Sequence, residues 1–249
     1  MTAETGETTL RLFVALELPD AARRAISAWA MSELPRAEGL RLLADEALHV
    51  TLCFLGATPA SERDGIGAAC REAAAGRGPL RLSLGEPLAL PRRRPRVVAV
   101  GVAAAGDTGD TGDTGATGAT GEREHGRHPR EREHRRDPGE REHRRGSGER
   151  EHGRHPGEIG SELDQLQAAL SARLATGGWY RPELRPFLAH LTVARARSHA
   201  RIDARALARV APIETPTFVA DTVTVFRSHT RPGGARYEPL VRVLLAPGA

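Results

Sequence analysis

The sequence predicts an α+β protein whose two halves resemble each other and are interrupted by a low-complexity insert. Segments with the two-residue period of strands and segments with the 3.6-residue period of helices follow one another in an irregular order. A His-x-Thr motif followed by an apolar residue occurs once in each half, at His49 and at His190. The irregular order argues against a doubly wound parallel sheet, in which strands and helices alternate.

The first half is predicted to have the order β-α-β-α-β-β. Apolar and β-branched runs bounded by Pro or Gly predict strands over residues 10–18, 48–55, 80–90 and 96–102. Apolar residues spaced three or four apart predict helices over residues 20–34 and 60–75. We expect Asp20 to cap the first helix and Gly56 to end the second strand.

The second half is predicted to have the order α-β-α-β-β. Ser161 and Asp164 occupy the two key positions of a capping box, so a helix is expected to start there and to continue to about Thr176. The remaining elements are strands over residues 187–194, 217–227 and 236–245 and a short helix over residues 203–210. The similar order of the two halves suggests duplication of an α+β unit within a single domain spanning residues 10–245.

Residues 103–158 form the insert, and their composition differs from that of the rest of the chain. Asp-Thr-Gly occurs three times from Asp107, and Glu-Arg-Glu-His occurs four times from Glu122 at a spacing of nine residues. The segment has no Leu, Val, Phe, Trp, Tyr or Met, so it cannot bury enough apolar surface to offset the entropy of ordering. We therefore expect a disordered loop that arose by expansion of a tandem repeat.

The charge of the chain is unevenly distributed. The insert holds 13 acidic and 11 basic residues and so carries −2, which leaves +6 on the remainder of a chain whose net charge is +4. A basic folded part fits an anionic ligand. Six of the ten histidines lie in the insert, and a His-rich tract of this kind can bind transition metals.

The composition also bears on cellular location. The first residues lack the basic and apolar regions of a signal peptide, and no apolar run approaches the roughly 20 residues of a membrane helix. Cys53 and Cys70 have no metal-ligand spacing and lie in apolar surroundings, which favours buried, reduced thiols. We expect a cytoplasmic monomer that does not bind membranes.

The two His-x-Thr motifs carry the strongest functional signal. Residues i and i+2 of a strand point to the same face, so His49 should project with Thr51, and His190 with Thr192. The residues expected to face the core on the first of these strands are Val50, Leu52 and Phe54. If the two halves pack symmetrically, both His/Thr pairs face one cleft.

This arrangement suits hydrolysis of a phosphoester without a metal. One imidazole can take a proton from water while the other protonates the departing oxygen, because the unperturbed pKa of histidine, about 6.5, allows both forms near neutrality. The hydroxyls of Thr51 and Thr192 can donate hydrogen bonds to the non-bridging phosphate oxygens. A metal site is less well supported, since outside the insert only His199 and His229 remain and no metal-ligand pattern accompanies them.

Longer stretches around the motifs resemble a known family. RLFVALELP, LHVTLCFLG and FLAHLTVAR, with Ser228, Gly234 and Tyr237 near the end, are similar to the two-histidine (2H) phosphoesterase superfamily. The most similar branch is the bacterial RNA 2',3'-cyclic phosphodiesterase family, also called the 2'-5' RNA ligase family. Its usual Trp before the second half is replaced here by Ala99, and its usual Pro before the second histidine by Ala189.

The resemblance implies a fold, a reaction and a set of roles. It implies two pseudo-symmetric lobes with antiparallel sheets around a central cleft. His49 resembles the proton donor to the leaving 3' oxygen, and His190 resembles the proton acceptor that activates water. Thr51 and Thr192 fall on the phosphate-binding threonines. The substrate would be RNA with a 2',3'-cyclic phosphate end and the product a 2'-phosphomonoester, with no cofactor.

Further candidates lie near the motifs. Arg195 and Arg227 could contact a phosphate through their planar guanidinium groups, or could be solvated residues at strand ends. Tyr237 could stack on a base or pack at the rim of the cleft. The basic cluster at residues 91–96 could follow an RNA backbone or remain an exposed loop.

Three other functions stay open on the sequence alone. Joining of RNA ends through a 2'-5' linkage uses the same phosphate chemistry, with a ribose hydroxyl in place of water. A non-catalytic RNA-binding module would use the histidines only for contacts. A metal-buffering protein would use the His-rich repeat.

Overall fold

The computed structural model describes residues 8–34, 39–105, 160–197, 200–213, 217–231 and 234–247. Its strands are β1 (Thr9–Glu17), β2 (Leu40–Leu42), β3 (His49–Pro59), β4 (Leu80–Leu90), β5 (Val97–Ala104), β6 (His190–Ala196), β7 (Thr217–Ala220), β8 (Thr222–Arg231) and β9 (Gly234–Leu244). Its α-helices are α1 (Asp20–Glu33), α2 (Arg63–Ala74), α3 (Glu162–Thr176) and α4 (Ala204–Leu207). Residues 106–158 of the predicted insert, and His199, lie outside the described residues.

The strands form one curled sheet made of two antiparallel groups. One group has the order β7-β4-β5-β6, with β2 also pairing with β6, and the other has the order β3-β1-β8-β9. The groups join where β3 meets β6, through the antiparallel pair Val50 and Leu191. The prediction of an α+β fold with antiparallel sheets is confirmed, and we call these two groups the His49 half-sheet and the His190 half-sheet.

The two half-sheets are not the two halves of the sequence. The C-terminal hairpin of β8 and β9 completes the half-sheet that starts with β1 and β3. Conversely, β4 and β5 from the first half of the chain pair with β7 and β6 from the second. What repeats is the unit of a strand, a helix and a motif-bearing strand, seen as β1-α1-β3 and as β5-α3-β6.

A single core covers one face of the sheet. Alternate strand residues and the buried sides of all four α-helices belong to this cluster. In α3 the apolar residues recur every three or four positions, and all four are fully or almost fully buried: Leu163, Leu166, Leu170 and Leu174. Each such side chain contributes about 1.5–3 kcal/mol when removed from water. The helices therefore occupy one face and leave the other face open for a site.

Local signals at the helix starts had mixed outcomes. The capping box at α3 is confirmed, since the Ser161 hydroxyl accepts a hydrogen bond from the Asp164 amide and the Asp164 carboxylate accepts one from the Ser161 amide. The predicted cap of α1 is wrong. Pro19 occupies the N-cap position, and Asp20 is the first helical residue, paired with Arg23.

Several strand limits also differ from the prediction. β3 does not end at Gly56 but continues to Pro59, because Gly56 adopts a φ of 75° beside a bulge and the pairing with β1 resumes beyond it. The predicted strand over residues 217–227 is two strands, β7 and β8, separated at Asp221. Cys53 and Cys70 are buried free thiols, as predicted, and burial raises the pKa of each to about 12.

Candidate active site

The two motif strands meet immediately beside the histidines. Val50 and Leu191, the residues that follow them, form the pair that joins β3 to β6, and both are fully buried in the core. Because the strands are antiparallel, this register directs His49 toward Thr192 and Thr51 toward His190. The structure thus brings both His/Thr pairs together on the partly exposed face opposite the helices.

Each imidazole is held by the same local hydrogen bond. The Nδ1 atom of His49 lies 2.8 Å from the carbonyl oxygen of Ala47, and the Nδ1 atom of His190 lies 2.8 Å from that of Leu188. A carbonyl can only accept, so Nδ1 carries the proton in the neutral ring. In each histidine Nε2 is then the nitrogen that can accept a proton from, or donate one to, a ligand.

A bulge follows the threonine in both motif strands. In β3 the register passes from Thr51 opposite Ala15 to Cys53 opposite Val14, so Leu52 is the extra residue. In β6 it passes in the same way from Thr192 to Ala194, opposite Ala99 and Val98. Two successive side chains therefore turn toward the core in each strand. The third residue after each threonine, Phe54 or Arg195, returns to the face of the histidines.

Phe54 is a residue of the site that the strand alternation missed. It was expected in the core with Val50 and Leu52, but 46% of it is exposed and it lines the cleft. The physical reason is the bulge at Leu52, which reverses the alternation beyond that point. The available signal was the pair of adjacent apolar residues that follows each threonine.

Aromatic rings surround His49. Its ring centroid lies 4.8 Å from that of Phe13, 5.0 Å from that of Tyr237 in an edge-on arrangement, and 6.1 Å from that of Phe226. Burial among these groups lowers the pKa of His49 from 6.5 to about 4, since it penalises the charged ring. The hydrogen bond to Ala47 acts in the opposite direction, and the positive charges of Arg195 and His190 lower the pKa further.

The cleft divides into two pockets at Thr51 and Phe54, which line both. The pocket on the His49 side, which we call the His49 pocket, has a volume of about 450 Å³ and is also lined by Arg195 and Tyr237. The other, which we call the His190 groove, has a volume of about 850 Å³. The predicted candidates Arg195 and Tyr237 therefore lie at the site.

Two arginines that sequence reasoning missed join Arg195 in the His49 pocket. Arg41, on β2, is the register partner of Arg195, and its guanidinium lies against Gly234, where any side chain would collide with it. The guanidinium of Arg11 lies 4.7 Å from the ring centroid of Phe54. They reach the pocket through pairing of distant strands, so no local motif marks them.

The structure places Arg227 away from the cleft. It is opposite Leu12 in the register, so its side chain lies on the face of the sheet that carries the core. There its Nη1 atom is 3.9 Å from Glu238, whose carboxylate is also 2.7 Å from the Nε2 atom of His229. Arg227 and His229 therefore serve a surface ion cluster.

Thr192 and Ala99 are neighbours on the face of His190. They are register partners across β6 and β5, and Ala99 is fully buried. The position where the related sequences often carry Trp thus lies directly beside the second threonine. Here that position presents only a methyl group.

Two searches of the described residues found nothing. No group of three or more His, Cys, Asp or Glu side chains there is arranged to hold a metal ion. Likewise, none of the helices in that part of the chain is long and apolar enough to cross a membrane.

A curled antiparallel sheet with two matched His-x-Thr strands on its open face defines the class of two-histidine phosphoesterases. The family described as LigT like Phosphoesterase matches residues 16–99 and 155–237, which together exceed half of the chain. The chain therefore belongs to the LigT-like phosphoesterase family. Comparison with curated proteins gives no significant match.

Solved structures share the fold at low sequence identity. TT0787 of Thermus thermophilus is 20% identical, with a TM-score of 0.62 and coverage of 96% of this chain and 99% of its own. E. coli LigT complexed with 3'-AMP is 23% identical, with a TM-score of 0.58 and coverage of 96% and 99%. E. coli LigT complexed with NADP+ is 21% identical, with a TM-score of 0.57 and the same coverage. At these identities the likeness concerns the fold alone.

Proposed function

We propose that this phosphoesterase hydrolyses the 2',3'-cyclic phosphate at an RNA end to a 2'-phosphomonoester. The observation that carries the proposal is the pair of imidazoles, one on each half-sheet, whose Nε2 atoms are both left available by matching Nδ1 hydrogen bonds. In-line displacement at phosphorus needs a base near the nucleophile and an acid near the leaving oxygen. The solved complex of E. coli LigT with 3'-AMP, a ribonucleotide with a 3' phosphate, supports this choice of substrate class.

In the proposed mechanism His190 accepts a proton from water and His49 donates one to the leaving 3' oxygen. A histidine with a pKa of about 4 is protonated in about one molecule in a thousand at pH 7. A bound phosphate anion favours the charged form, because opposite charges a few ångströms apart raise the pKa of an imidazole. The substrate thus brings His49 into its acidic form. The aromatic surroundings make that imidazolium a strong acid.

The neighbouring groups have separate proposed roles. The hydroxyls of Thr51 and Thr192 donate hydrogen bonds to the non-bridging oxygens, and the guanidinium of Arg195 balances the charge that builds up on them. Phe54 offers a ring on which a base stacks, and Tyr237 closes the rim beside His49. No step in this scheme requires a cofactor.

The direct test uses an RNA or nucleoside 2',3'-cyclic phosphate in the presence of EDTA, with identification of the product isomer. We expect a 2'-phosphate from the wild type and none from His49→Ala or His190→Ala. Unchanged turnover in both variants would overturn the proposal. RNA binding without turnover would favour a binding module. Joining to an added RNA with a 5' hydroxyl would show 2'-5' ligation.

A further inference from the structure

The His190 groove is larger than the reacting group needs. It runs from Thr51 and His190 to the β4–β5 turn on one side and to the extended segment 180–188 on the other. Its volume of about 850 Å³ exceeds the 450 Å³ of the His49 pocket. A cyclic phosphate held between the histidines occupies only the end of this groove. The remainder is shaped for something beyond the reacting end.

Three exposed arginines line the remainder of the His190 groove. Arg92 and Arg93 lie on the β4–β5 turn, and Arg185 faces them from segment 180–188. Within the described part of the chain none of the three forms a hydrogen bond or an ion pair. One carboxylate, that of Glu183, also lines the groove, so the balance of charge is positive. These arginines differ from Arg11, which already packs on a ring.

Aromatic rings accompany the arginines. Tyr180 and Phe187 are half-buried in the wall of the groove, and the exposed ring of Phe54 stands at its inner end. Arginines alternating with flat rings along an open groove is the pattern that binds single-stranded nucleic acid, because phosphates pair with guanidinium groups and bases stack on rings. An acidic peptide would use the charges but would leave the rings without a matching partner.

We propose that the His190 groove binds the single-stranded RNA segment on the 5' side of the reacting end. Arg92, Arg93 and Arg185 contact its phosphates. The preferred substrate is accordingly an oligoribonucleotide rather than a mononucleotide. This inference rests on the proposed function for the chemistry at the end, but the binding of the RNA segment is a separate property of the groove.

The test compares two substrates in three proteins. The substrates are a nucleoside 2',3'-cyclic phosphate and an RNA of ~10 nucleotides with the same end, a length that exceeds the few nucleotides a single binding fold contacts. The proteins are the wild type, the triple variant Arg92→Ala/Arg93→Ala/Arg185→Ala, and a charge-matched control. The control replaces three exposed arginines that do not line the cleft, as Arg24→Ala/Arg205→Ala/Arg209→Ala.

We expect the groove variant to lose at least about tenfold in kcat/KM on the RNA and to stay within about twofold of the wild type on the nucleoside. Its slope of log kcat/KM against log salt should fall by about 2, since each lost phosphate contact on a single strand removes about 0.7. The control variant should match the wild type on both substrates. Thermal melting checks that all three proteins are folded.

Two results would overturn the inference. One is an undiminished preference for the RNA in the groove variant. The other is an equal loss on both substrates, which would make the arginines part of the reacting site. If the wild type hydrolyses neither substrate, the proposed function fails, and the groove is tested alone by fluorescence anisotropy of a labelled RNA. Weaker RNA binding by the groove variant than by the control would then support the groove, and equal binding would refute it.

Discussion

The half-sheets that carry His49 and His190 use the same backbone arrangement with different neighbours. Each has an Nδ1 hydrogen bond to the carbonyl two residues earlier, a threonine paired with an alanine, and a bulge after that threonine. Yet His49 is enclosed by aromatic rings, whereas His190 opens onto the larger groove. The fold duplicates the positions of the catalytic candidates, and the side chains around them make the two imidazoles chemically unequal.

The difference extends to the third residue after each threonine. The His49 half-sheet presents the ring of Phe54 there, and the His190 half-sheet presents the charge of Arg195. Both side chains line the His49 pocket. One position thus supplies a flat apolar surface suited to a base, and its counterpart supplies a cation suited to a phosphate.

The comparison is tested most strongly by removing each imidazole in turn. We expect His49→Ala and His190→Ala each to lower kcat for the cyclic phosphate by about 10²–10⁴-fold, the usual contribution of general acid–base catalysis. The matched control is His229→Ala, because His229 contacts Glu238 away from the cleft and should leave the rate within about twofold of the wild type. A near-normal rate for only one catalytic variant would show that the half-sheets do not share the reaction.

The second test compares arginines on opposite faces of the sheet. Arg195→Gln should lower kcat/KM by about 10–100-fold, because a hydrogen bond to a charged group contributes about 1.5–3 kcal/mol. Arg227→Gln changes the same residue type at the ion cluster with Glu238, and we expect no change in kcat/KM. Steady-state kinetics on a nucleoside cyclic phosphate distinguish the two. Equal effects would contradict the placement of Arg195 alone at the phosphate.

The third test concerns the lowered pKa of His49. Because the folded pKa, about 4, lies below the unfolded value of 6.5, the unfolded chain binds this proton first as the pH falls. The free energy of unfolding should therefore be unaffected by His49 above pH 6.5 and should decrease by about 2–3 kcal/mol between pH 7 and pH 4.5. Urea unfolding at several pH values measures this decrease.

A variant isolates the contribution of His49 to the pH dependence. His49→Gln has no titrating ring at this position, so its decrease in stability over the same range should be smaller than that of the wild type by this amount. NMR titration of the ring should also show a higher pKa for His49 in Arg195→Gln, since the Arg195 charge lowers it. An unshifted His49 in the wild type would mean that the rings do not enclose it in solution.

Local rules predicted the parts of the site that depend on neighbouring residues. Alternation in a strand was enough to place His49 with Thr51 and His190 with Thr192, because no bulge separates them. The capping box at Ser161 was likewise predictable, since it involves residues only three apart. Such features are determined within a few residues of chain and do not depend on the rest of the fold.

Features that depend on distant pairing could not be predicted in this way. Phe54 reaches the cleft because β3 bulges against β1, and a bulge is a property of two strands rather than one. Arg41 reaches the His49 pocket through the pairing of β2 with β6, whose partners are far apart in the chain. The exchange of strands between the half-sheets is equally absent from any local pattern.

The smallest test compares the helices that precede the two motif strands. The helix of the His190 unit, α3, has the Ser161 capping box, whereas α1 of the His49 unit begins at Pro19 without a side-chain cap. Ser161→Ala should lower the free energy of unfolding by about 1 kcal/mol, because it leaves first-turn amides without their partner. Pro19→Ala removes no side-chain cap and is the control for α1. Urea unfolding measures both variants, and an equal loss of stability would show that the capping box contributes nothing specific to the His190 unit.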